Sequence, residues 1–358
     1  MKFSYKNIFY FFYILIIFFF LDFFYSKYQN NLDKKFTELN NHIYIKHNYY
    51  HHDFKKNETA KERWGKLQNT LKTNSLGFKD EDNFYINKSL TSRRVLFIGD
   101  SFTEGVGLDY SDTFVGIINK NLKKQKIETL NAARSSYSPI IYWRKTKYLL
   151  ENEKLQFTDL VVFIDISDAE DEAKYYFLNE KDQVIDKKID SKNYKKESFN
   201  LGKFIFINFK MTHNFKNIIF NISQNPWSKI LSDSYERDKW TIKKSAYENY
   251  GRDGNKLMKK YMDKLYNLTK KHNITLTIAV YPWPTQIWNN DLESIHVKIW
   301  KKWAEEKRIT FFNFFPDFIN TNSDNKTEVL KKYFIPGDIH FNKKGNELIA
   351  DSFLKKFK

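Results

Sequence analysis

VLFIGDSFTEGVG, residues 95–107, is four apolar residues running straight into a glycine-rich turn that carries one serine. The apolar run is too short for a buried helix and is closed by Gly99, so it reads as a buried strand. A serine just beyond such a strand stands at its carboxyl end, where parallel sheets bind ligands. Gly99, Gly105 and Gly107 let the backbone turn sharply and approach a substrate. The turn is neither a dinucleotide fingerprint, because G-x-G-x-x-G is absent, nor a phosphate loop, because no GK[ST] ending follows.

From Arg94 onward, short apolar runs alternate with longer amphipathic segments, which predicts parallel strands joined by crossover helices. The expected strands are Val95–Ile98, Ile127–Leu130, Leu160–Ile164, Leu276–Tyr281 and Thr310–Phe312. The expected helices are Thr113–Leu122, Ile140–Asn152, Asn255–His272, Leu292–Lys307 and Lys344–Phe357. Together they describe a three-layer α/β/α, flavodoxin-like domain on a five-stranded parallel sheet, occupying residues 91–358. The rhythm fails between about 170 and 250, where the charged stretch Asn179–Asn200 marks an insertion, either a solvated excursion or a lid or partner surface.

A serine becomes a nucleophile only beside a base, and the base needs an orienting acid. Near the C-terminus stands PGDIHFNKKG, residues 336–345, just before the last expected helix. Asp338 and His340, two apart on one loop, can reach a common site, the carboxylate holding the imidazole while the imidazole takes the Ser101 proton. Alone, the serine turn is equally a structural turn, and a lone D-x-H is more often a helix-capping feature. Their pairing on strand ends in this order makes the catalytic reading the stronger one.

With both blocks in view, residues 90–358 resemble the SGNH hydrolases, the GDSL-like lipases and esterases. NSLGF, residues 74–78, also resembles a stretch ahead of the GDS block in membrane-anchored bacterial members. The resemblance implies that Ser101 is the nucleophile, that its N–H is one oxyanion donor, and that His340 is the base. The family's acid usually stands three residues before the histidine, where this chain has Gly337; Asp338 stands two before it, as in some acyltransferase-like branches, and is assigned as the acid. The family's second oxyanion donor is a glycine N–H, and NAARSSYSP, residues 131–139, puts Ser136 there. The third is an asparagine side chain, and FIDISDAEDE, residues 163–172, puts Ser167 in its place, leaving a hydroxyl as the expected donor. Losing a well-aimed oxyanion donor can cost about a hundredfold. No cofactor and no metal are implied.

Two other clusters carry residue types that could take ligands. The carboxylates Asp165, Asp168, Glu170, Asp171 and Glu172 could bind a divalent cation, against the metal-free mechanism that the resemblance implies. Tyr281-Pro282-Trp283-Pro284, after the fourth strand, would either line a sugar-binding platform or simply end the strand.

The N-terminus decides location. Lys2 and Lys6 precede an apolar run, Ile8–Tyr25, interrupted only by Asp22 near its end. As a helix it would span about 27 Å, close to the hydrocarbon thickness. It is apolar all round, unlike a core helix, and lacks small residues at a cleavage site, unlike a signal peptide, so residues 1–27 are expected to be a transmembrane anchor. Residues 28–90 are expected to be a stem, helical around Glu58–Thr73, with His47, His51 and His52 in a solvated tract rather than a metal site.

The chain has 60 Lys+Arg against 43 Asp+Glu, a net charge of +17 that favours anionic surfaces. No basic-aromatic module accompanies it, so no nucleic-acid partner is expected. With no cysteine, disulfides and thiol catalysis are excluded. The expectation is therefore a single-pass membrane protein with an extracytoplasmic domain acting on an acylated carbohydrate or lipid, as an esterase if water is the acceptor and an O-acyltransferase if a glycan hydroxyl is. The rival is a catalytically silent glycan-binding or assembly protein on the same fold, motivated by Ser167.

Overall fold

The computed structural model describes residues 5–187, 200–221, 225–320 and 325–357. The chain divides into two compact units, residues 1–41 with 188–226, and residues 42–187 with 227–358.

The larger unit is built on a five-stranded parallel sheet of β1 (Arg94–Ile98), β2 (Glu128–Asn131), β3 (Asp159–Ile164), β4 (Thr275–Val280) and β5 (Thr310–Asn313). Its spatial order is 2-1-3-4-5, the flavodoxin-like doubly wound order. Each strand lies within a residue or so of its expected position. The central β1 and β3 are buried along their whole length, which is why they read as unbroken apolar runs rather than as alternations. The crossovers use α1 (Phe114–Leu122), α2 (Pro139–Glu151), α3 (Arg252–Lys271) and α4 (Ile295–Lys307), and α5 (Lys343–Lys356) closes the chain. Helix α1 packs on α5 and α2 on α3, giving the two helical layers that an all-parallel sheet needs. Because β1 is a strand-order switch point between β2 and β3, the crevice above its carboxyl end is where a ligand is expected.

Residues 42–90 are not a stem. They fold within the larger unit as the antiparallel hairpin Tyr44–His47/His51–Phe54 and as Thr59–Trp64 paired with Leu67–Thr73, extended by Lys79–Asp80. The helix expected over Glu58–Thr73 is thus a hairpin. Its Glu, Lys and Arg content suits a helix, but burial of Asn69, Leu71 and Thr73 follows a period of two, and Gly65 at φ +58° makes the turn. The histidines are structural parts of the first hairpin: His47 stacks on Tyr50, His51 pairs with Asp186, and His52 bonds the Ser135 carbonyl.

The insertion has two fates. Tyr176–Leu178 and Val184–Asp186 form a hairpin, residues 188–199 of the charged stretch lie outside the described residues, and 227–250 pack back into the larger unit. The smaller unit contains a helix over Tyr5–Asn40, long and apolar enough to cross a membrane, together with helices Leu201–Asn208 and Lys210–Asn221.

One close approach locks the layer that carries the β3 loop. A Cβ on Gly254 in α3 would sit 1.9 Å from the Ala169 carbonyl oxygen, backbone that cannot step aside. Gly254→Ala is expected to cost about 1–3 kcal/mol, read as a clear fall in the thermal midpoint of the chain in detergent.

Candidate active site

Ser101 opens a one-turn helix, Ser101–Glu104, immediately after β1, and Asp100 caps that helix by accepting the Phe102 N–H. As the first helical residue, Ser101 has an N–H without an intrahelical acceptor. His340 and Asp338 come from the loop ahead of α5. There Pro336-Gly337 forms a tight turn: Gly337 sits at φ +75°, and the Asp338 N–H donates to the Ile335 carbonyl at 3.0 Å. That turn requires glycine where the related family usually has its acid, and it presents Asp338 one residue later.

The three side chains meet. His340 Nε2 lies 2.8 Å from Ser101 Oγ, and His340 Nδ1 lies 2.6 Å from Asp338 Oδ1. With Nδ1–H donated to the carboxylate, Nε2 is left as the acceptor for the serine proton. The imidazole is 5% exposed and is held between the Phe102 ring and the edge of Trp64, with centroids 4.6 and 5.0 Å away. Burial pushes the Asp338 carboxyl up, but hydrogen bonds and charge from His340 and the Trp64 indole outweigh it, and the group stays below the ordinary aspartate range.

Ser101 Oγ also lies 3.1 Å from Asp100 Oδ2, a competing acceptor for its proton. Burial first, and the charge of Asp165 second, push the Asp100 carboxyl well up. That shift favours its acid form and leaves His340 the better acceptor for the Ser101 proton.

Two site residues were missed in the sequence. Trp64, at the hairpin turn of the supposed stem, donates its indole N–H to Asp338 Oδ2 at 2.8 Å, and Trp227, from the insertion, donates its own to the Asp338 carbonyl at 2.8 Å. Both belong to segments whose composition suggested linker or excursion, and only the tryptophans themselves, Trp64 in the first and Trp227 and Trp240 in the second, hinted otherwise. Trp64 is a positioning residue. Trp64→Phe keeps the ring against His340 and removes the donor to Asp338; kcat should fall about tenfold with KM little changed, and the acid limb of the pH profile should move up because Asp338 loses a stabilising donor.

The oxyanion side is held by Glu104 within the GDSFTEG turn. Although burial raises this carboxyl, Arg134 and Lys79 lower it below its ordinary value, so it is an ionised acceptor. It takes the Ser135 hydroxyl at 2.7 Å, the Ser135 N–H and Arg134 Nη1 at 2.9 Å. The Ser135 amide is therefore committed. Ser136, at φ +64° in the left-handed region that suits glycine, is pinned through its carbonyl by the Tyr176 hydroxyl at 2.9 Å and lines the same cavity as Ser101.

Ser167 differs from its expected role. It lines the cavity, but its hydroxyl and its N–H both donate to Asp165 Oδ1, at 2.6 and 2.7 Å. Its hydroxyl proton therefore points at a carboxylate rather than at the place of an oxyanion. Protein donors reach all five acids of that cluster: Asp165 takes the Trp283 indole, Asp168 the Tyr142 hydroxyl and the Asp165 N–H, Glu170 the Lys174 ammonium, Asp171 the Arg237 guanidinium, and Glu172 the Ser138 hydroxyl and the Ile140 N–H, while Asp168 Oδ1 and Glu172 Oε2 have no hydrogen-bond partner among the described residues. Tyr281 and Trp283 do not form a joint platform. Both are fully buried, with the Tyr281 hydroxyl on Asp100 and the Trp283 indole N–H on Asp165, and of the two only Trp283 lines the floor of the cavity.

The acidic cluster has a pH signature. Burial pushes Glu172 up to about 8, above an unfolded value of about 4.5. The folded state then holds a proton that the unfolded chain has released, so this group's contribution to stability falls as pH rises from about 4.5 to 8. Glu172→Gln keeps a carbonyl acceptor for Ser138 and Ile140; its thermal midpoint should exceed that of the natural chain by several degrees at pH 8 and match it near pH 4.5.

The cavity, of about 350 Å³, is also walled by Lys229, Ile230, Tyr235 and Arg237 from the insertion. A doubly wound parallel sheet with a serine, histidine and aspartate in relay at its switch point defines the class of the site: a Ser–His–Asp triad on an α/β/α scaffold. No family model matches the chain, and no curated protein matches it. The solved structures it is similar to include esterases and lipolytic proteins of the G-D-S-L family. They include the psychrotrophic esterase EstA from a Pseudoalteromonas species, at 12% identity over 74% of this chain and 96% of that one, with a TM-score of 0.38. A lipolytic protein of the G-D-S-L family from Desulfitobacterium hafniense gives 12%, 74%, 99% and 0.39. A catalytic mutant of Axe2, an acetylxylan esterase from Geobacillus stearothermophilus, gives 12%, 75%, 96% and 0.39. Likeness at this level carries no argument about chemistry, and the triad stands on its own geometry.

Proposed function

We propose that this protein is a serine esterase, anchored by its N-terminal helix with the larger unit outside the cytoplasmic membrane, which removes or transfers O-acyl groups, acetyl foremost, on envelope polysaccharide. The observation that carries the proposal is the relay from Ser101 Oγ through His340 to Asp338, at 2.8 and 2.6 Å, opening on one cavity. Ser101 Oγ bonds to the ester carbonyl carbon as its proton passes to His340 Nε2. The oxyanion is held by the N–H groups of Ser101 and Ser136. Collapse expels the alcohol, which takes the proton from His340, and leaves an acyl-serine. Water, or a glycan hydroxyl, then attacks with His340 again as base and frees Ser101. A pocket of this size suits a short acyl group with part of a sugar, and the extracytoplasmic side is where such polymers lie.

The test is hydrolysis of p-nitrophenyl acetate and labelling by a fluorophosphonate, using the full chain in detergent. Turnover and labelling that both depend on Ser101 and His340 are expected. The commitment of the Ser167 hydroxyl to Asp165 favours a second reading, a glycan-binding protein that has lost turnover. A folded chain that neither labels nor hydrolyses, yet retains O-acetylated glycan, would establish it.

A further inference from the structure

The helix Tyr5–Asn40 carries a polar stripe at Asp22, Ser26, Asn30 and Asp33, spaced four, four and three and so on one face. Every member of that stripe holds residues 207–212. Asp22 Oδ1 accepts the Met211 N–H at 2.8 Å, and Oδ2 accepts the Thr212 N–H at 2.8 Å and the Thr212 hydroxyl at 2.7 Å. Ser26 Oγ accepts the Lys210 N–H at 2.7 Å, so Asp22 and Ser26 together satisfy the opening N–H groups of helix Lys210–Asn221. The Asn30 amide donates to the Ile207 carbonyl at 2.8 Å, and Lys210 pairs with Asp33 at 2.8 Å. Asp22 and Ser26 are fully buried by these contacts.

Helices Leu201–Asn208 and Lys210–Asn221 contact each other about Phe209, and the bend of this helical hairpin reaches the apolar run. The Phe209 ring meets Phe19 and Phe23, with centroids 5.8 and 6.2 Å away, beside the last turns of Ile8–Tyr25. An intramembrane carboxylate is expensive unless it is paired; here the hairpin supplies the donors, so the one acid in the apolar run is accounted for. The hairpin presents Leu201, Phe204, Phe206, Ile207 and Phe215 to the outside, at 39–64% exposure. Residues 201–216 contain three lysines and no acid. Exposed aromatics and leucine interleaved with lysine are what a segment lying in an anionic headgroup layer needs.

We propose that residues 201–216 form an interfacial hairpin that inserts its apolar side chains into an anionic phospholipid bilayer beside the N-terminal helix. The inference rests on the reading of that helix as a membrane anchor. The occupant is lipid, because the surface is continuous with the apolar run and shares its buried cap.

The chain has no cysteine, so single cysteines can be labelled without background. Phe206→Cys, Phe215→Cys, Ile16→Cys and Glu305→Cys, each carrying an NBD fluorophore, are compared in full-length protein reconstituted in vesicles of phosphatidylcholine with a minority of phosphatidylglycerol. Lipids bearing a nitroxide near the headgroup should quench positions 206 and 215, a nitroxide deep in the acyl chain should quench position 16, and neither should affect exposed position 305. Quenching at 16 with 206 and 215 open to aqueous iodide would overturn the hairpin and leave the anchor standing. Shielding of 206 and 215 from both iodide and nitroxide lipid would assign the surface to a second copy of the chain and overturn the proposal. Loss of quenching at 16 as well would remove the anchor, and the hairpin with it. Equal quenching at 206 in phosphatidylcholine alone would overturn the anionic preference.

Discussion

Ser101→Ala and His340→Ala should each lower kcat on p-nitrophenyl acetate by about ten-thousand- to million-fold, and the double variant should lose little more. The non-additivity follows from the geometry. Ser101 Oγ and His340 Nε2 share one hydrogen bond at 2.8 Å, and removal of either end abolishes the same proton transfer. Steady-state kinetics of the natural chain, the two single variants and the double variant in detergent measure it, with circular dichroism confirming the fold. His340→Ala is the sharper probe, because Asp100 Oδ2 at 3.1 Å is the other possible acceptor for the serine proton. Burial pushes the Asp100 carboxyl well up, toward the acid form, so it is not expected to substitute. Retention of even a hundredth of the turnover in His340→Ala would move the base to Asp100. The residue left in the cavity would still bear N–H donors at 101 and 136, and any activity that survives in all variants measures their share.

The five strands were legible because burial on both faces leaves continuous apolar runs, VLFI and LVVFI above all, closed by glycine or a charged turn. Ser101 was legible for a related reason, because it stands on the turn where VLFI ends, whereas Asp338 and His340 stand on the loop ahead of α5 and were legible through their D-x-H spacing. Segments whose role depends on distant partners were not. Residues 59–73 carry helix-favouring charges, and only their packing within the larger unit reveals period-two burial of Asn69, Leu71 and Thr73. Trp64 and Trp227 reach Asp338 from 274 and 111 residues away, a separation that no local pattern encodes. Ser167 occupies the position expected for an oxyanion donor, yet the nearby Asp165 claims its proton. Asp22, an interruption in the anchor when read alone, caps a helix 189 residues further along.

Asp338→Asn should lower kcat by about ten-thousand-fold while KM changes little, because the side chain keeps its shape and loses its sign. In the natural chain Asp338 Oδ1 accepts both the His340 backbone N–H, at 2.9 Å, and Nδ1–H, at 2.6 Å, while Oδ2 accepts the Trp64 indole. All three partners are donors, so the side chain must accept at both of its oxygens. An asparagine amide has one oxygen and one NH₂. If its oxygen stays on the two His340 donors, its NH₂ faces the Trp64 N–H, donor against donor. If it flips to satisfy Trp64, its NH₂ faces Nδ1 and drives the proton to Nε2, the tautomer that cannot accept from Ser101. Either arrangement also removes the charge that stabilises the imidazolium. The two can be told apart by adding Trp64→Phe: with the indole donor gone the amide is free to keep its oxygen on His340, so the double variant should recover part of the activity lost in Asp338→Asn, although Trp64→Phe alone is deleterious. Recovery measured as a higher kcat in the double than in the single variant would show that tautomer control through the Trp64–Asp338–His340 chain is how the acid acts. Equal activity in the two would leave the lost charge as the whole effect.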